Sequence, residues 1–234
     1  MRQATTDCSI FFRSKAYCYE TLLATWQGFV IGQGKAVELA GRKVVLGDHT
    51  LAVKDGRKMP GVVSLHEASE TQSKPDYFRG QCWGAIGLLV GSFSACFCCP
   101  LQLQIQQGWQ HLGLTKDSGE KDPVKLAERL VIMAILFAVS HNCPCYLVLD
   151  AFFSVGSVFR VCQYYSIEHK EPWVEILVKA KSHYVGYFPA PPKQASRPGP
   201  QPFYGEKVHL QECFDHPHWF GTAECNVSGK TEVI

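Results

Sequence analysis

Between Cys82 and Leu101 the chain carries no charged side chain, a run about long enough to cross a bilayer as a helix. Gly84, Gly87, Gly91, Ser92 and Ser94 interrupt it, with a Gly-Ser pair near its middle. Glycine and serine at those positions weaken a helix and suit a turn, so the run predicts two buried strands joined by a tight reversal rather than a membrane span. The remainder fits a globular chain. With 234 residues, of which 46% are apolar, it is long enough to bury a core. A formal charge of +2 permits a nucleic-acid partner without pointing to one.

Eleven cysteines make an odd number at irregular spacings, and no charged-then-apolar leader opens the sequence. A reducing, cytoplasmic setting is the expectation. Cys96, Cys98 and Cys99, with Cys143 and Cys145, lack the spacing from which tetrahedral zinc sites are built, and are expected to be buried structural thiols.

Patterning gives an order of elements. Tyr19 to Val30 predicts a lead-in helix within residues 1–40. Lys43 to Val53 is rich in β-branched and aliphatic residues and ends at a Lys54-Asp55-Gly56 turn, so it predicts a strand. Counting by two places Val44, Leu46, Asp48, Thr50 and Ala52 on one face, where Asp48 is expected amid otherwise buried residues. Arg57 to Pro75 reads as a loop, and the uncharged run then supplies two further strands. Asp122-Pro123 predicts a helix start, continued by Val124, Ala127, Leu130, Val131 and Ala134, and stopped at His141-Asn142. The half from Val131 to Val139 is apolar all round and predicts burial against a sheet. Cys145 to Asp150 is a short apolar strand ending on an acid. Ser154 is placed to cap a helix with Val155, Val158, Phe159 and Cys162 on one side, and Trp173 to Lys181 predicts another strand. Phe188 to Phe203, with Pro189, Pro191, Pro192, Pro198, Pro200 and Pro202, reads as a loop or linker.

Three strands, a helix, a strand, a helix and a strand make an α/β layered sheet. Asp48 sits in the first strand and Asp150 at the carboxyl end of the fourth, where open sheets present their sites. If those strands are neighbours, the two carboxylates converge. Facing carboxylates offer hard oxygen ligands to Mg²⁺, or Mn²⁺, and such sites carry in-line phosphodiester chemistry. The plainer reading is that a strand aspartate caps the turn or helix after it.

Three ordered blocks then add specificity: Gly47-Asp48-His49-Thr50 with Lys54 to Gly61, Phe78-Arg79-Gly80-Gln81-Cys82-Trp83-Gly84, and Tyr146-Leu147-Val148-Leu149-Asp150-Ala151-Phe152-Phe153. Together they resemble the DDE transposases of bacterial insertion sequences from about Gly41 to Lys181, which implies a partial catalytic core over residues 41–184. The resemblance implies a ribonuclease-H-like mixed sheet flanked by helices, with residues 185–234 forming a Pro-rich loop and the start of a β-rich insertion. It implies Asp48 and Asp150 as catalytic metal ligands, Mg²⁺ or Mn²⁺ as cofactor, transposon ends and target DNA as partners, and allows a homodimer, with no membrane role. The family's third acid, a glutamate in a Tyr, Arg, Glu, Lys signature, is not found. Glu175, Glu206 and Glu212 read as surface carboxylates, so the expectation is an incomplete or inactive copy. The alternative is a non-catalytic DNA-binding or assembly remnant in which Arg57, Lys58 and Arg79 hold phosphates.

Overall fold

The computed structural model describes residues 18–56, 59–66, 75–92, 95–106, 124–181, 183–192, 202–219, 224–227 and 230–233. They fall into two compact units. One runs to Leu149 and resumes over Val155–Leu177, and the other comprises Asp150–Ser154 and the chain from Val178 onward.

The first unit is α/β. Helix α1 (Tyr19–Gly32) leads into a short strand β1 (Glu38–Leu39), followed by β2 (Arg42–Val53), β3 (Val63–His66), β4 (Tyr77–Ser92) and β5 (Ala95–Ile105). Helix α2 (Leu126–Ser140), strand β6 (Cys145–Leu149), helix α3 (Gly156–His169) and strand β7 (Val174–Val178) complete it. The strands form one mixed sheet in the order β3-β4-β2-β6-β7, with β1 added to β2 and β5 added to β4. β2 is central. It pairs antiparallel with β4, from Val45 opposite Leu88 to Val53 opposite Gly80, and parallel with β6, from Lys43 opposite Cys145 to Leu46 opposite Val148. A parallel neighbour needs a long crossover, and the segment containing α2 provides it.

One face of the sheet carries the core. Val45 of β2, Ile86 and Leu88 of β4, and Leu147 of β6 are buried, as are Leu130, Val131, Ala134 and Phe137 of α2. Gly47 marks how closely these layers approach: a Cβ there would lie 2.8 Å from Leu149 Cδ2 and 3.2 Å from Leu130 Cδ2. Any side chain at position 47 would have to displace both leucines, which is the cost of overfilling a dense interior. At the far end of the sheet Leu65, Phe78 and Cys82 form a smaller buried cluster, against which Leu51 and Leu126 pack.

Several expectations are met. The lead-in helix, the strand bearing Asp48, the strand ending before Asp150 and the strand near Trp173 are all present. The uncharged run forms antiparallel β4 and β5, and among the described residues no helix is long and apolar enough to cross a membrane. Other expectations need correction. The face of β2 holding Leu46, Asp48, Thr50 and Ala52 is half-exposed or exposed, Val44 alone being buried, because helix α2 covers the opposite face. β5 is mostly exposed, with Cys96, Phe97 and Cys98 open and Leu101 its one buried residue, since among the described residues it pairs only with β4. Its Pro100 donates no N–H and lies where the ladder shifts register beside Gly87.

Helix α2 starts at Leu126, three residues beyond the expected site. The backbone N–H of Lys125 donates to Glu128 Oε2 at 3.0 Å, so this glutamate defines the first turn. Asp122, Pro123, Arg57 and Lys58 lie outside the described residues. Leu136 of this helix is 57% exposed and Ile132 and Val139 are half-buried, exceptions to the burial expected of its second half. β3 falls in the stretch read as loop; Val63 and Leu65 alternate too briefly to signal a strand.

In the second unit Asp150–Ser154 forms a single 3₁₀ turn. Ser154 closes that turn and does not cap α3, whose N-cap is Val155 without a side-chain bond. The Ser154 carbonyl instead accepts a hydrogen bond from the Tyr184 hydroxyl. Strand β8 (Val185–Pro189) pairs antiparallel with β9 (Tyr204–His209), so Phe188 and Pro189 belong to a strand rather than to the Pro-rich loop. Two 3₁₀ segments, Leu210–Asp215 and Pro217–Trp219, and a hairpin of β10 (Glu224–Val227) and β11 (Lys230–Val233) follow.

Candidate functional site

Asp48 lies mid-way along β2, opposite Ala85 of β4, with its side chain on the face away from α2. The residue is exposed, and its Oδ1 accepts the backbone N–H of His49 at 2.7 Å. On the same face Leu46 lies beside Val148 and Val44 beside Tyr146, while Thr50 sits opposite Trp83. The carboxylate thus stands at the end of an apolar strip, on a strand whose backbone is bonded on both sides through Leu46.

Asp150 directly follows β6 and opens the second unit. It too is exposed, and its Oδ1 accepts the Phe152 backbone N–H at 2.9 Å, which makes it the N-cap of the Ala151–Phe153 turn. The capping role weighed for a strand aspartate is therefore present here. It occupies one oxygen of a group that has two. β2, which carries Asp48, and β6, which ends just before Asp150, are neighbours and run parallel. Their last paired residues are Leu46 and Val148, and each aspartate stands two positions further along its own chain segment.

The other carboxylates considered from the sequence have separate roles. Glu175 on β7 forms an ion pair with Arg42, its Oε1 3.2 Å from the guanidinium, and Arg42 also donates to the Pro172 carbonyl at 2.6 Å. Glu212 accepts the His209 backbone N–H at 3.3 Å within a 3₁₀ segment, and Glu206 is exposed on β9. Among the described residues, no three His, Cys, Asp or Glu side chains gather as a metal-binding group. Arg79, the remaining phosphate-binding candidate, is exposed on β4 opposite Ser64.

Cysteines divide by environment. Cys82, Cys143 and Cys145 are buried as expected, whereas Cys96 and Cys98 are exposed and Cys99 is half-buried, correcting the expectation for the β5 thiols. Burial pushes the Cys82 thiol up to about 11 and those of Cys145 and Cys162 up to about 12. The thiolate is the nucleophile, so these three are inert near neutrality. At pH 8, iodoacetamide is expected to alkylate Cys96 well before Cys82 or Cys145, as read by peptide mass spectrometry. Labelling of Cys145 as fast as Cys96 would mean that β6 is not an interior strand. The sign for stability follows from the same shifts. A buried thiol holds its proton more tightly than an unfolded one, so its contribution is constant below about pH 8.5 and is lost as pH rises toward 11 to 12.

No protein-family model, curated protein sequence or solved structure matches this chain.

Proposed function

We propose that this chain carries the two-aspartate half of a DDE-type transposase catalytic domain with a ribonuclease-H-like sheet. Asp48 and Asp150 would hold Mg²⁺ or Mn²⁺ against DNA. The observation that carries this reading is the parallel pairing of β2 with β6. The resemblance puts its first acid on the first strand of the sheet and its second at the end of the fourth. Here the strands concerned are β2 and β6, the second and sixth in chain order rather than the first and fourth, and they are adjacent, with a register that ends equally short of each aspartate. The element order supports the same reading: an antiparallel set of β2, β4 and β5 precedes two strands, β6 and β7, each reached through a helix.

The donor set fits the ion. Both groups are exposed carboxylates, hard oxygen ligands of the kind Mg²⁺ takes while it keeps several waters for exchange with phosphate. When bound, such an ion supplies charge neutralisation at a phosphodiester and orients the attacking oxygen. The protein's part is to hold the carboxylates on ordered backbone. The β2 ladder does so for Asp48, and the Phe152 N–H fixes the orientation of Asp150. No third carboxylate is assigned, so metal binding is expected to be weak and strand transfer slight, because in-line phosphoryl chemistry needs its ions positioned on both sides.

The test pairs Mn²⁺ titration of the chain, Asp48→Asn and Asp150→Asn with nicking of supercoiled DNA. Each variant is expected to weaken Mn²⁺ binding by about tenfold or more, since losing a ligand costs at least what losing its outer partner does. Equal binding by the chain and Asp150→Asn would remove Asp150 from the site and leave it a turn cap. Robust cutting by the unaltered chain would instead reveal a third acid, with Glu175, Glu206 and Glu212 the next to substitute.

A further inference from the structure

Two histidines in the second unit have no role in the reading above. They stand two residues apart in Asp215-His216-Pro217-His218-Trp219, where the chain passes from one 3₁₀ segment into the next. The backbone is pinned there: His216 N–H donates to the Cys213 carbonyl at 3.1 Å, and Trp219 N–H donates to the His216 carbonyl at 3.0 Å. The His216 ring lies flat on the Trp219 indole, with centroids 4.4 Å apart and planes at 22°. That indole meets Phe188 of β8 edge-on at 5.5 Å. An aromatic stack anchored on a strand thus sets the plane of the His216 ring. The His218 ring stands nearly perpendicular to it at 85°, with the two imidazole centroids 5.7 Å apart.

That spacing suits two ligands of one ion. A Zn–N bond is about 2.0 to 2.1 Å, which puts an ion roughly 3.2 Å from each ring centre. Two such rings at a tetrahedral angle have centres about 5.2 Å apart, rising to about 6.4 Å when they stand opposite each other. The observed separation falls inside this interval, and perpendicular ring planes are no obstacle because tetrahedral coordination imposes no particular torsion about a metal–nitrogen bond. We propose that His216 and His218 form a two-imidazole site for a borderline divalent cation such as Zn²⁺ or Ni²⁺, with the remaining coordination positions open to water or an outside ligand. Imidazole selects these ions over Mg²⁺, so the site is chemically separate from the aspartates. It stands or falls independently of the transposase reading.

Ni²⁺ titration at pH 8 provides the test, followed by calorimetry and by tryptophan fluorescence. The whole chain is compared with His218→Ala, His216→Gln, Trp219→Phe and a Cys96→Ser, Cys98→Ser double variant. One Ni²⁺ equivalent is expected to weaken at least about tenfold in either histidine variant and to be unchanged in the cysteine variant. The quenching that accompanies it is expected to be lost in Trp219→Phe, since that indole lies against a ligand ring. His218 is exposed, so its replacement leaves the fold intact, as far-UV circular dichroism would verify. Undiminished Ni²⁺ binding by His218→Ala overturns the site, as does binding that disappears with the cysteines instead.

Discussion

Leu130→Ala is expected to destabilise the first unit by about 3 kcal/mol, a loss set by deleting buried methyl groups and by the cavity that remains. Leu130 is fully buried, and its Cδ2 lies 3.2 Å from where a Cβ on Gly47 would sit. The void would therefore open between helix α2 and the central strand, with Leu147 and Leu149 around it. A sheet bonded on both sides of β2 has little freedom to collapse into that space. The control lies in the same helix: Leu136→Ala removes the same atoms from a residue that is 57% exposed and should change stability by no more than about 0.5 kcal/mol. Urea unfolding measures both. A shift in midpoint at constant slope for Leu130→Ala alone is the expected result. Similar values for the two variants would mean that α2 does not pack on the sheet through Leu130.

Gly91→Val is expected to cost a comparable amount, about 3 kcal/mol, for a different reason. Gly91 has φ near +112°, a conformation that side-chain-bearing residues rarely adopt, and a Cβ there would run into the backbone oxygen of Ala95. Its N–H donates to the Lys35 carbonyl at 2.8 Å, and Ala36 bridges Val90, so the segment after α1 is tied to this end of β4. Strained backbone of this kind costs about 1 to 3 kcal/mol, to which the steric conflict adds. Because the strain falls on the β4–β5 pairing, amide exchange should accelerate in Leu88–Val90 and in Phe97–Cys99 more than in β6. Uniform acceleration, or none, would contradict the pairing of β4 with β5 around Gly91.

Much of the first unit was legible in its residues. Gly-Ser interruptions in the uncharged run signalled a reversal because glycine tolerates the backbone conformation a tight turn requires, and Gly91 adopts such a conformation. Apolar runs of strand length placed β2 and β6, and the apolar half of α2 predicted its burial. What could not be read was which side of a strand is covered. Period-two counting separates Val45 and Gly47 from Leu46 and Asp48, but only the position of α2 decides that the first pair is buried. The same limit explains β5, whose apolar residues look interior in sequence yet lie beside a single described partner strand. Ser154 was misread because a polar residue before a helix offers a cap, whereas here its carbonyl engages Tyr184, a partner 30 positions away. For the two candidate aspartates the residues show only type and order along the chain, and adjacency of β2 and β6 is a condition rather than a reading. The structure supplies that adjacency, and it adds the backbone bond that turns Asp150 toward Phe152.

The central position of β2 also has a consequence for how the chain assembles. Its antiparallel partner β4 follows within a few tens of residues, whereas its parallel partner begins at Cys145, about a hundred residues after Lys43. Closing the longer loop costs more chain entropy before any pairing rewards it. During synthesis the meander of β2, β4 and β5 emerges with one edge of β2 unsatisfied, and it stays so until α2 and β6 have left the ribosome. During that interval the open edge of β2 is available for intermolecular strand pairing, and chaperone capture during translation would act there.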